Sequence, residues 1–91
     1  MSAAALAEAL TAAEAALRRG DHAATADAVR RGNAACEAMT ASGAHPSPAA
    51  LEALRAAHGR CLALAEAELA RLSGAVTQAA LSRRATDAYR R

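Results

Sequence analysis

Apolar positions at helical spacing open the chain and predict a first helix over residues 2–19. Its inner face carries four side chains at intervals of four, three and four: Leu6, Leu10, Ala13 and Leu17. Arg18 and Arg19 suit the negative C-terminal end of a helix, and Gly20 suits the left-handed residue that follows one. Helix one is therefore expected to stop at Arg19.

A second helix is predicted over residues 21–41, with Asp21 as its N-cap. Its apolar stripe is weaker and mixed with polar residues: Thr25 or Ala26, Val29, Asn33, Cys36, and Met39 or Thr40. Gly32 lies within this helix and costs about 1 kcal/mol relative to alanine. These residues still share one face of the helix, so helix two is expected to pack through that face.

Residues 42–47 form the one clear loop, because Gly43 ends a helix and Pro46 blocks its continuation. Ser47 can cap a third helix, and Pro48 occupies its favoured first position. The chain has no further proline, so the helix is predicted over residues 48–90. The Ser-Gly pair at residues 73–74 is the predicted kink site.

Helix three carries a heptad seam, here called the α3 seam, made of Leu62, Ala65, Leu69, Leu72, Val76 and Ala79. Leu64 and Leu81 fall outside this seam and are expected to be exposed. At ~1.5 Å per residue, helix three reaches roughly 65 Å, against about 26–32 Å for the other two helices. Its C-terminal third therefore needs a partner or a second copy, or stays disordered.

Composition supports an all-α fold. Alanine, the best helix former, fills 32 of 91 positions, and isoleucine and phenylalanine are absent. The length allows one domain, residues 1–91. We predict an antiparallel helical hairpin or three-helix bundle with a long C-terminal helix.

Charge is unevenly distributed. The net charge is +2, and the tail, residues 82–91, contributes +3 through four arginines and one aspartate. The start of the chain lacks the basic region of a secretory signal, and no apolar run is long enough to span a membrane. A cytoplasmic protein is expected. The arginine pairs of the body lie near acidic residues rather than on one basic face, which disfavours nucleic-acid binding.

Two cysteines and three histidines raise the question of a metal or redox site. His58 and Cys61 share a helix face. In a hairpin that folds at residue 44 or 45, however, Cys36 lies level with residue 53, about 12 Å along the axis from Cys61. A disulfide or a zinc site needs closer approach. Core-filling thiols are the favoured interpretation, with a metal or redox role and an intermolecular disulfide as alternatives.

Catalytic motifs are missing from the sequence. It has no HExxH, no glycine-rich phosphate loop and no GxSxG, and Glu66 and Glu68 point to different sides of their helix. We expect neither an enzyme nor a cofactor. The remaining function class is recognition of another protein's helix. Its predicted contacts are the apolar residues of helix three that extend beyond the other two helices: Leu69, Leu72, Val76, Leu81 and Tyr89.

The order of elements resembles a known family. A glycine-acid break at Gly20 and Asp21, a proline-containing loop, and a long last helix ending in "RRATDAYRR" resemble the FlgN and FliT type of flagellar export chaperone. The resemblance implies a cytoplasmic all-helical protein that binds the C-terminal helical segment of a hook-associated or filament-cap protein. It also implies docking on the export gate through Tyr89, with Arg83 and Arg84 beside it.

A structural interaction module that self-associates, as a homodimer or a larger bundle, is the alternative. The two functions differ in what meets the last helix: a client protein in the first, another copy of this chain in the second. A DNA-binding accessory protein is a third class, and its affinity would fall steeply with salt.

Overall fold

The computed structural model describes the backbone of residues 2–90 and the side chains of residues 3–90. It contains three helices, α1 (Ser2–Arg19), α2 (His22–Ser42) and α3 (Pro48–Arg90). The predicted all-α fold class is confirmed. The sequence also predicts Ser2 as the N-cap of the first helix, and the Ser2 side chain lies outside the described residues.

The α1–α2 connection is a helix stop followed at once by a helix start. Gly20 has a φ of 69°, the left-handed conformation that glycine adopts without steric cost. The Asp21 carboxylate then accepts a hydrogen bond from the Ala24 N–H at 3.0 Å. Asp21 is the N-cap and α2 begins at His22, one residue later than the sequence predicts.

The second turn uses the same chemistry. Gly43 caps α2 with a φ of 68°, and the Ser47 hydroxyl accepts from the Ala50 N–H at 3.1 Å. From Pro48, α3 continues for 43 residues. It passes through residues 73–74 as α-helix, and the molecule is 65 Å long.

Alanine, not leucine, makes most of the core. The buried side chains are Ala9, Ala13, Ala16, Ala28, Ala35 and Leu54. A Cβ added at Gly32 would lie 3.6 Å from the Ala9 Cβ and 3.8 Å from Leu6 Cδ1. Methyl groups and a glycine at this interface let α1 and α2 pack closely.

The predicted inner stripes were partly wrong. On α1, Ala13 is buried, but Leu6, Leu10 and Leu17 are only half-buried. On α2, Val29 remains 51% exposed, because the buried positions are one residue earlier, at Ala28 and Ala35. The small residues form the contact, since they allow the closest approach of the two backbones.

α1 lies between the other two helices. It packs against α2 and against α3, while within the described residues no Cα of α2 comes within 8 Å of a Cα of α3. The Cys61 thiol on α3 donates to the Leu10 carbonyl of α1 at 3.4 Å. Leu64, expected to be exposed, is half-buried, because it lies on the side of α3 that faces α1.

Candidate helix-binding groove

The separation of α2 and α3 leaves an open channel above α1, here called the α2–α3 groove. It encloses a cavity of about 340 Å³. The two edges face each other through Val29 on α2 and Leu62 on α3, which keep 51% and 50% of their exposure. Half-exposed leucines of α1 form the floor: Leu6, Leu10 and Leu17.

The groove continues toward the loop between α2 and α3. A second cavity of about 640 Å³ shares four of its lining residues with the first: Leu6, Leu10, Cys36 and His58. It extends to Met39, Pro46 and Leu51. Along α3 the lining runs from Leu51 to Ala65, a distance of roughly 21 Å at ~1.5 Å per residue.

The groove is open because α2 packs against small residues of α1 and not against α3. The buried face of α1 is made of alanines, so α2 approaches it closely and moves away from α3. Val29 and Leu62 then lie at the edges of the groove and do not fill it. A channel with an apolar floor and two apolar edges is the shape that accepts an amphipathic helix.

Glu68 links α2 to α3 at the end of the groove that is farther from the α2–α3 loop. Its carboxylate accepts from Arg71 through two hydrogen bonds of 3.0 and 2.6 Å, and lies 3.0 Å from His22 Nε2. Arg71, and then His22, lower the pKa of Glu68 to about 2. This contact joins the first residue of α2 to α3.

Glu14 ties α1 to α3 in a similar way. Its carboxylate accepts from Arg18 at 2.9 Å within α1 and from Arg60 on α3 at 3.4 Å. The Arg18 hydrogen bond is the main cause that lowers the pKa of Glu14, and Arg60 adds to it. The two carboxylates thus hold α3 against the other helices from Arg60 to Glu68.

The cysteines are not core-filling residues, which corrects the favoured prediction. Cys36 is exposed and Cys61 is half-buried, and both line the α2–α3 groove. Desolvation, followed by the nearby Glu14 carboxylate, raises the pKa of the Cys61 thiol, so this thiol stays protonated. Among the described residues, no three His, Cys, Asp or Glu side chains gather into a metal-binding group.

The predicted partner contacts all lie exposed on α3, outside the groove. Four keep at least half of their exposure, Leu69 at 64%, Val76 at 70%, Leu81 at 51% and Tyr89 at 94%, while Leu72 keeps 37%. Arg83 and Arg84 are exposed as well. They follow Glu68 in the chain, whose bond to His22 lies next to the end of α1.

The groove itself was not predicted from the sequence. Many of its residues carried a signal on their own helix: Leu6, Leu10 and Leu17 were assigned to the inner face of α1, Val29, Asn33 and Cys36 to the stripe of α2, and Leu62 and Ala65 to the α3 seam. The sequence shows which face is apolar but not how far apart two such faces lie. That distance depends on the close α1–α2 packing.

Comparisons with known proteins give no identification: no protein-family model, no curated protein and no solved structure matches this chain. Within the described residues, every helix is too short in its apolar stretches to cross a membrane.

Proposed function

We propose that this protein is a non-enzymatic helix-binding chaperone of the cytoplasm that holds an amphipathic helix of a client protein in the α2–α3 groove. The observation that carries the proposal is the groove itself, with an apolar floor from α1 and opposed apolar edges at Val29 and Leu62. Binding there would complete a four-helix arrangement.

The dimensions of the groove suit a short helix. A length of roughly 21 Å corresponds to about four helical turns. A client helix with apolar side chains at i, i+4, i+7 and i+11 would place one in each turn of the channel. The client covers Val29 and Leu62, and removal of their exposed surface from water favours binding.

The finer proposal is a flagellar export chaperone, and its support is the sequence resemblance. The client would be the C-terminal helical segment of a hook-associated or filament-cap protein. Tyr89 would then contact the export gate. Its 94% exposure and position near the end of α3 leave the ring accessible, and exposed tyrosines are common anchors at protein interfaces.

Binding to defined client segments tests the groove. Fluorescent peptides of the C-terminal segments of the organism's own hook-associated and cap proteins are titrated with wild type, Val29→Glu and Ala56→Glu. We expect Val29→Glu to weaken binding at least about tenfold, which corresponds to ~1.4 kcal/mol, because it places a charge at the groove edge. Ala56, exposed and outside the groove lining, is the matched control.

Two results would count against the proposal. If no client segment binds wild type at about 100 µM, a Kd weaker than any ordinary helix-in-groove complex, the flagellar assignment is wrong. If a segment binds both variants as tightly as wild type, the groove is not its site.

Docking of Tyr89 is tested separately, by capture of export-gate components with wild type and Tyr89→Ala in the presence of bound client. We expect Tyr89→Ala to lose the gate component and to keep the client, since Tyr89 lies outside the groove. Retention of the gate component by Tyr89→Ala would remove the docking role.

A further inference from the structure

The second half of the α3 seam is an exposed apolar surface beyond the packed helices. Leu69, Leu72 and Val76 follow one another along one face of α3 and keep 64%, 37% and 70% of their exposure. They lie beyond Glu68, where the last hydrogen bond from α3 to another helix is made. The seam therefore continues as a coiled-coil surface after the helices that could cover it have ended.

We propose that a second copy of this chain covers the second half of the α3 seam, from Leu69 to Ala79, with the two α3 helices antiparallel and a two-fold axis near Gly74. In an antiparallel coiled coil, first-position residues of the heptad face fourth-position residues of the other helix. Leu72 then faces Val76 of the second copy, and Leu69 faces Ala79. The two-fold axis repeats each contact, so both copies bury the same three large side chains.

Charge complementarity selects the antiparallel direction. In this register Arg83 of one copy lies level with Ala65 of the other, within one turn of Glu66, whose side chain is exposed. A parallel pair would instead set the Arg83 and Arg84 side chains against their own copies, and like charges at that distance repel.

The register also fits the space that the fold leaves. The overlap from Ala65 to Arg83 is about 28 Å long at ~1.5 Å per residue, and most of it lies past the end of α1. An interface of this length is small and open at its ends, so we expect a reversible dimer. Because the Arg83 and Glu66 side chains are exposed, higher salt should weaken it.

This inference rests on the exposed seam and not on the proposed client. It assigns Leu69, Leu72 and Val76 to a second copy, whereas the client groove is lined by other residues. Self-association without client and peptide binding are separate measurements, so either proposal can fail while the other holds.

Sedimentation equilibrium of the purified chain, with wild type beside Val76→Glu and Leu81→Glu, tests the surface. We expect wild type to be a dimer at about 100 µM, Val76→Glu to dissociate at least about tenfold more readily, and Leu81→Glu to behave as wild type. Leu81 is the matched control, since it is 51% exposed on the same helix but outside the seam. Circular dichroism establishes that each variant keeps its helices.

Disulfide trapping tests the direction. A Leu72→Cys chain and a Val76→Cys chain, both with Cys36 and Cys61 replaced by alanine, are mixed under mild oxidation. Antiparallel pairing brings positions 72 and 76 of different copies within the roughly 7 Å that a disulfide requires between Cα atoms. We expect the mixed 72–76 product to predominate. Same-position products, a wild type that stays monomeric, or a dimer unaffected by Val76→Glu would each overturn the proposal.

Discussion

At the residue scale, two glutamates hold the three helices together. Glu14 links α1 to Arg60 of α3, and Glu68 links α3 to His22 of α2. Each also accepts from an arginine on its own helix, Arg18 or Arg71. Since α2 and α3 do not pack directly, the Glu68–His22 contact is the side-chain bond that fixes their spacing at the far end of the groove.

Glu68 is expected to make stability depend on pH in the acid range. Its pKa of about 2 in the folded protein is below the ordinary value of 4.5, so its contribution is complete above pH 4.5 and is lost as the pH falls toward 2. Thermal unfolding between pH 2 and 6 measures this. Wild type should lose more of its thermal midpoint over that window than Glu68→Gln does.

Glu66→Gln is the control for this prediction. Glu66 lies on the same helix and is exposed, so its replacement should leave the pH dependence close to that of wild type. If Glu68→Gln and wild type show the same loss of midpoint toward pH 2, the contact with His22 and Arg71 does not stabilise the fold.

At the element scale, the close α1–α2 pair decides the architecture. Gly32 of α2 lies against Ala9 and Leu6 of α1, and the buried residues of these two helices are all alanines: Ala9, Ala13, Ala16, Ala28 and Ala35. Close packing of small residues brings the two backbones together. The leucines of α1 are then left at the edges of this contact, where they form the floor of the groove.

Gly32→Ala is expected to stabilise the protein by up to about 1 kcal/mol, the difference in helix propensity between glycine and alanine. The added Cβ would meet Ala9 and Leu6 at 3.6 and 3.8 Å, which is ordinary van der Waals contact. Urea unfolding monitored by circular dichroism measures the change. A loss of stability would show that α1 and α2 pack more tightly there than these distances allow.

Gly43→Ala is the opposing control. Its backbone φ of 68° is a conformation that costs alanine roughly 1–2 kcal/mol. We expect this variant to be less stable than wild type although nothing lies within 4 Å of the added methyl. Comparing Gly32→Ala with Gly43→Ala separates the effect of helix propensity on stability from the effect of backbone strain.

At the scale of the whole molecule, the chain divides into a packed part and a projecting part. Hydrogen bonds between helices reach as far as Glu68, and every described residue from Arg71 onward is exposed. The projecting segment gives the molecule its 65 × 20 × 18 Å shape. It also carries the predicted contacts Tyr89, Arg83 and Arg84.

A chain that ends at Arg71 is expected to keep the packed part intact. At a concentration where wild type is monomeric, its thermal midpoint should equal that of wild type, because no contact between helices is removed. At about 100 µM wild type should become the more stable of the two, since dimerisation stabilises the folded state by mass action. Equal midpoints at every concentration would show that the seam adds nothing.

Much of the fold could be predicted from local signals. Gly20, Asp21, Gly43 and Ser47 act through backbone conformation and caps within four residues, so the sequence places the helix ends within one residue of the observed ones. The length of α3 and the exposure of Val76 follow in the same way, because they depend on an uninterrupted helix and on the shortness of its neighbours.

The candidate site could be predicted only in part. Val29 and Leu62 were identified as apolar-face residues of α2 and α3, but not as the opposite edges of one groove. Cys36 was assigned to the interior and is exposed. For Val29 and Cys36 the cause is that α1 approaches α2 at Ala28 and Ala35, one residue before each of them.

The sequence by itself therefore determined the number of helices, their ends and the projecting seam, because capping and periodicity act between residues close in the chain. The tertiary structure alone decided which face of each helix is buried and that α2 and α3 stand apart. Those outcomes depend on how closely two surfaces of alanine and glycine can approach, and on where Glu14 and Glu68 find partners across the chain.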